Sequence, residues 1–349
     1  MRWSRTLEKA FQSRDTRFSL GVNYAWVHYG GDFGSNAAWG ANGVSHPHTE
    51  KEVVDDFARM AEAGVKTVRW FLFCDGRAGI LFDREIPTGL DHYFFKDLDA
   101  ALEIAERNKI SIAFVLLDYT WMLREIEEKG AKLQGHAEVL HSAAGQEALL
   151  NNVLLPLFTR YRGHPNIHSW EVMNEPEWII EEIAPMSTRR LGKPIRLKEF
   201  KAFARKVVNA VHTSTNDKVT LGSARLKWLG QWTDLNLDYY AVHFYPATEA
   251  DQPGSCVQQF SEALGQLTLD RPLWLGEFPA NDPAVPEYSM QEILDLCWKK
   301  ELAGACIWKW RRPAEGEEAP EYGTPDISVL KSWSEAHESG PDPLGSLRA

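Results

Sequence analysis

Eight short apolar runs, separated by stretches of helical periodicity, constrain this 349-residue chain more than any other feature. The strand-like runs are residues 19–24, 67–73, 110–117, 167–174, 219–223, 239–244, 273–278 and 305–309. Several are almost continuously apolar, the pattern of parallel strands buried on both faces. Between them, residues 49–63, 94–108, 146–161, 197–215, 257–267, 289–302 and 328–337 place apolar side chains at helical spacing. Residues 226–236 carry the weakest helical signal, that of one short turn. Thr49 and Glu52 have the spacing of a capping box, and Gly64 is placed to end the first helix. Eight strands alternating with helices in this length predict an α/β fold, a single-domain (β/α)8 TIM barrel with its core over about residues 18–338. A doubly wound open sheet is the rival, but no glycine-rich phosphate fingerprint follows the first strand. Three connections exceed what a barrel needs: 119–145, 176–196 and 311–326, after the third, fourth and eighth strands. Extra length on that side builds substrate walls and lids. The Gly-, Asn-, His- and aromatic-rich segment 24–48 falls on the same side.

Net charge of −11 argues against a nucleic-acid partner, whose phosphates demand clustered Lys and Arg. No apolar run is long enough to span a bilayer, so no membrane partner is expected. The first twenty residues lack a continuous apolar core, and the four cysteines (Cys74, Cys256, Cys297, Cys306) show no CxxC or other metal spacing and read as reduced thiols. Both point to a cytoplasmic protein, or to a secreted one whose leader has been removed. The 14 tryptophans are an excess. They pack in the core or line a sugar-binding cleft. Oligomeric state is left open.

Two glutamates carry the chemical signal. Glu175 lies in IHSWEVMNEPEW and Glu277 in RPLWLGEFP, each ending a strand-like run and each closely followed by proline. Both carboxylates are therefore expected where strand gives way to loop, at the end of a barrel where catalytic residues gather. Paired carboxylates at one mouth are the equipment for splitting a glycosidic bond. Taken alone, either could be a solvated loop residue or a salt-bridge partner. His46, His48 and the nearby His28 match no zinc motif, and neither a metal nor another cofactor is expected.

Five motifs occur in strand order: VRW around Arg69, NEP at Asn174–Pro176, HFYP at His243–Pro246, GEF at Gly276–Phe278 and IWKW at Ile307–Trp310. On these the chain resembles the glycoside hydrolases of clan A, family 5-like, which include cellulases and mannanases. The resemblance spans roughly residues 19–310. It implies a retaining β-glycosidase acting on mannan- or glucan-type poly- or oligosaccharides, with Glu175 as acid/base and Glu277 as nucleophile. It further implies that Asn174 bonds the sugar 2-hydroxyl, that Arg69 holds the nucleophile, that Tyr245 points at it, that His243 lines the same wall and that Trp308 is the sugar platform. Asp118, where many family cellulases carry a histidine, is expected to face the cleft and bind sugar hydroxyls. Trp121, with Tyr119, Trp26 and Trp178, is a candidate subsite wall. Asp75 and Arg77 are expected to fix the turn after the second strand, and Glu171 to play a structural hydrogen-bonding role. The second and third strand motifs lean towards mannanases. A transglycosylase on the same site, a non-catalytic carbohydrate-binding barrel and a metal-dependent barrel enzyme are the alternatives.

Overall fold

The computed structural model of the chain describes residues 18–187, 189–249, 256–285, 287–311 and 322–337. Eight parallel strands close into a barrel: β1 (Ser19–Asn23), β2 (Thr67–Phe71), β3 (Ser111–Asp118), β4 (Ile167–Asn174), β5 (Lys218–Ser223), β6 (Tyr240–His243), β7 (Leu273–Pro279) and β8 (Gly304–Trp308). Each pairs with its neighbours in sequence, and β1 closes the ring against β8. All eight expected runs are barrel strands, with ends displaced by at most two residues. The reason they read so clearly is burial. Every residue of β1, β2, β4, β5, β6 and β7 is buried, between the lumen on one face and the helices on the other.

Helices α1 (Pro47–Glu62), α2 (Phe94–Asn108), α3 (143–160), α4 (Leu197–Ser214), α5 (Cys256–Gln266), α6 (Met290–Lys299) and α7 (Ile327–His337) alternate with the strands. The weak segment is a 3-10 turn over Leu226–Gln231. The expected capping box does not form. Helix α1 starts two residues earlier, with Pro47 in its first turn, a residue that needs no cap for its missing N–H. Thr49 instead donates to the carbonyl of Asn42 at 2.9 Å, and Glu52 pairs with Arg311 at 2.6 Å. Gly64 ends the helix as expected, at φ 83°, with its N–H on the carbonyl of Ala61. Helix α3 starts three residues before its expected position because Ser142 caps it, accepting from the N–H of Gly145. It widens to a π turn over Leu150–Leu154, just ahead of Pro156, whose missing N–H removes one regular bond.

All the strands point the same way, so every loop that follows a strand opens on one end. There the segment 119–145 holds a 3-10 turn (Tyr119–Met122), a two-stranded hairpin (Ile126–Glu128 with Ala131–Leu133) and a short helix (Ala137–His141). A second hairpin, Ile80–Asp83 with Ile86–Leu90, follows β2. Segment 176–196 is tied down by bridges Ile180–Ile195 and Leu123–Leu191. Most of the expected long connection 311–326 lies outside the described residues. Asp75 and Arg77 do fix the turn after β2, through bonds of 2.9 and 2.7 Å. Among the described residues no helix is long and apolar enough to cross a membrane.

Candidate active site

Strand register alone gathers the polar residues at the mouth. Asn23 lies beside Arg69, Asp118 beside Asn174, Asn174 beside Gly222 and His243 beside Glu277. Register shifts in the β4–β5, β6–β7 and β7–β8 pairings fall at this end, where a bulge re-aims side chains. Glu175 follows β4 directly and sits in the left-handed region at φ 47°, ψ 51°. Its N–H donates to the carbonyl of Gly222 at 2.8 Å. A non-glycine residue held there costs energy that the surrounding structure must offset, a common mark of a functional position.

Arg69 is the hub. It is 2% exposed, and its guanidinium donates to four side chains. Two bonds reach Glu171 (2.8 and 2.6 Å), and one each reaches Glu277 (2.6 Å), Asn174 (2.7 Å) and Asn23 (2.9 Å). One cation therefore ties together β1, β4 and β7. Glu171 has the structural role expected of it. Gly222 leaves room for this fork, since a Cβ there would collide with the Glu171 carboxylate.

The two catalytic candidates stand in different surroundings. Glu277 accepts from Arg69 on one oxygen and from the Tyr245 hydroxyl, at 2.6 Å, on the other. Burial raises its pKa, while the Arg69 cation and the Tyr245 hydrogen bond oppose that shift. Glu175 touches no cation in this way. Its contacts are His243 Nδ1 at 2.8 Å and the Trp178 indole N–H at 2.7 Å. Burial raises its pKa also, opposed by the Trp178 bond and Arg69. Burial lowers the pKa of His243 to about 4, so the imidazole is neutral near pH 7. Its Nε2 is buried with no hydrogen-bond partner among the described residues. A proton there would be an orphaned donor, so we assign it to Nδ1, which then donates to Glu175. One oxygen each of Glu175 and Glu277 and one ring nitrogen of His243 lie within 4.8 Å of one another.

The remaining candidates divide. Trp308 is half-buried near Trp26, 6.1 Å between ring centroids at 80°, with Phe71 beneath both. Asp118 lies one step behind the cleft, 5% exposed, accepting from Asn174 at 2.7 Å and the Thr120 N–H at 2.9 Å. The carboxylate expected to bind sugar hydroxyls is thus engaged by Asn174 and Thr120. The Asn174 amide gives its oxygen to Arg69 and one hydrogen to Asp118, leaving its second hydrogen for a ligand. Burial pushes the Asp118 carboxyl up to about 6. The expectation for Trp121 is wrong. It is 0% exposed, packed against the stacked rings of Phe82 and His136, and presents no ring face to a ligand. An apolar side chain one turn past a strand end was drawn under the loop, not into the cleft. Sequence reasoning also missed Asn23, which receives Arg69 and donates to the carbonyls of Gly276 and Cys306. An asparagine closing an otherwise apolar strand was the available signal.

No protein-family model matches the chain. The mannan endo-1,4-beta-mannosidase of Cryptopygus antarcticus is 24% identical over 335 residues, covering 84% of this chain and 80% of its own. That of Mytilus edulis is 24% identical over 328 residues, covering 84% and 83%. The chain resembles family 5 mannanases. Among solved structures, the endo-1,4-beta-mannanase of Eisenia fetida superposes with a TM-score of 0.72 at 21% identity, covering 93% of this chain and 91% of that one. The beta-1,4-mannanase of the sea hare Aplysia kurodai gives 0.72 at 16% identity, over 94% and 95%. At such identities the structural likeness establishes the (β/α)8 fold.

Proposed function

We propose that the protein is a glycoside hydrolase that cleaves β-linked mannan by double displacement, with Glu277 as nucleophile and Glu175 as acid/base. The observation that carries this reading is the carboxylate spacing at the barrel mouth. One oxygen of each glutamate lies within 4.8 Å of the other. Retaining enzymes hold their carboxyl groups roughly 5–5.5 Å apart, whereas inverting ones need roughly 6.5–9.5 Å to admit a water. The names of the relatives supply mannan as the polymer class.

Glu277 attacks the anomeric carbon while Glu175 gives its proton to the departing glycosidic oxygen, leaving a glycosyl ester on Glu277. Esterification removes the charge of Glu277. Glu175, now ionised, takes a proton from water, whose oxygen attacks the same carbon and releases the carboxylate. The free Asn174 hydrogen is available to the sugar 2-hydroxyl, a contact that strengthens as the ring gains positive charge. Hydrolysis of a panel of mannan, glucomannan, cellulose and xylan tests the substrate. We expect β-mannan to be cut to short oligosaccharides; cleavage of cellulose or xylan alone would refute the assignment.

The acidities fix the pH profile. Glu277 must be ionised, so activity falls as pH drops through its pKa. Glu175 must be protonated, so activity falls as pH rises through its own. Burial raises both. The bell of kcat/KM is therefore expected to lie above the ordinary carboxylate range of about 4.3. Its limbs belong to the coupled pair, which is flanked by Arg69, Glu171, Asp118, Arg225 and His243. On an aryl β-mannoside whose phenol leaves without a proton, the wild type should lose the alkaline limb and keep the acidic one. An alkaline limb as steep as that on mannan would show that it does not report proton donation by Glu175.

The tight grouping of Glu175, His243 and Glu277 also favours a second reading, a divalent-cation site. Chelator separates the two. Full mannanase activity after dialysis against EDTA is the expected result; loss restored by a divalent metal would favour the second reading.

A further inference from the structure

Two residues beyond Glu175 lies a carboxylate that the reaction does not use. Glu177 is 0% exposed. It accepts from the Ser223 hydroxyl at 2.6 Å, the Trp232 indole N–H at 2.8 Å and the Ala224 N–H at 3.0 Å. Ser223 ends β5, and Trp232 follows the 3-10 turn over Leu226–Gln231. Glu177 itself lies in the 3-10 turn Pro176–Ile179 that follows β4. It therefore bolts the turn carrying the acid to the next strand and its loop. Three donors converge on a group that can only accept, which fits a carboxylate. An amide at that position would set an N–H against one of them.

Stability alone does not explain a charge here. Among the described residues no Lys, Arg or His lies in ion-pair contact with Glu177, and burial pushes its carboxyl up to about 7. A neutral residue of similar shape would escape that desolvation. What the clamp holds is the seat of the acid. Glu175 stands in the left-handed region at the start of this turn. Trp178, next to Glu177, donates its indole N–H to Glu175 and meets Trp228 edge-on at 5.3 Å. Backbone bonds also hold the turn, from the Glu175 N–H to Gly222 and from the Ile195 N–H to Ile179, and Glu177 adds its side-chain tie to β5 and the loop after it.

We propose that Glu177 is a positioning residue for the acid/base: through Ser223, Ala224 and Trp232 it fixes the turn that holds Glu175 in its strained conformation and aims Trp178 at it. This rests on the assignment of Glu175 as the acid. A shift of about 1 Å in a reacting group can cost about 100-fold in rate. The loss should fall where proton donation matters and spare the attack by Glu277.

The test compares two substrates of one enzyme: a mannooligosaccharide, whose leaving sugar needs a proton, and 2,4-dinitrophenyl β-mannoside, whose phenol does not. For Glu177→Gln the ratio of the two kcat/KM values should fall at least tenfold against the oligosaccharide. Ser223→Ala, which removes one of the three donors, should move the ratio the same way by less, and it keeps the test alive if the first variant does not fold. Equal loss on both substrates in the folded variants, or no change in the ratio, would make Glu177 a packing residue and overturn the proposal. If the wild type cleaves neither substrate, the hydrolase assignment fails first and takes this proposal with it. Wild-type cleavage with an unmoved ratio condemns the proposal alone.

Discussion

Glu277→Gln is expected to reduce kcat on β-mannan by a factor on the order of 10⁴ or more, as removal of the nucleophile does in other covalent hydrolases. The substitution keeps the side chain's shape but not its charge or nucleophilicity. Mannooligosaccharide binding, read by calorimetry, should persist within a few-fold, because Trp308, the proposed sugar platform, and the Asn174 amide are left in place. Thermal unfolding run beside it identifies any loss that comes from misfolding, since Arg69 also loses a charged partner. Turnover near the wild-type level would remove Glu277 from the nucleophile role and leave the barrel mouth without a second catalytic carboxylate.

The second large effect is on stability. Arg69→Met should destabilise the fold by about 3–5 kcal/mol, the usual consequence of removing one partner from a buried ion pair. The reason is specific to this site. Glu171 and Glu277 are both buried and share this guanidinium, and Asn23 and Asn174 turn their carbonyl oxygens to it. A methionine of similar volume satisfies none of them. In the variant, Glu277 is raised further by burial without its cation. Stability tied to its neutral form is present at low pH and lost as pH rises, so the deficit should shrink as pH falls from about 7 towards 4. Urea unfolding at two pH values reads both effects. A deficit under about 1 kcal/mol would show that the hub contributes little to holding the strands together.

The barrel was legible because its strands are buried on both faces, so the pattern survives without knowledge of partners. The clearest runs, 167–174 and 273–278, match β4 and β7 to within a residue. Polar side chains at strand ends were equally readable, and Arg69, Asn174, Tyr245, Glu175 and Glu277 do meet at one mouth. What failed depended on which way a loop folds. Trp121 and Asp118 are three residues apart, yet one is sealed under the loop and the other stands behind Asn174. Aromatic content cannot separate those fates, because a buried and a sugar-facing tryptophan have the same composition. The hairpin after β2 escaped notice because its strands, such as IPTGL, are largely exposed and carry Pro and Gly. Glu177 was hidden for another reason. Its three donors come from β5 and the segment after it, some fifty residues away. Only the closed ring brings them to it.

Double displacement retains the anomeric configuration, and the configuration of the first product reports it most directly. Proton NMR of a mannooligosaccharide digest, followed from the first minutes before mutarotation, should show the β-anomer of the newly formed reducing end appearing first. The α-anomer appearing first would mean single displacement by water, and would contradict Glu277 as a nucleophile despite its nearness to Glu175.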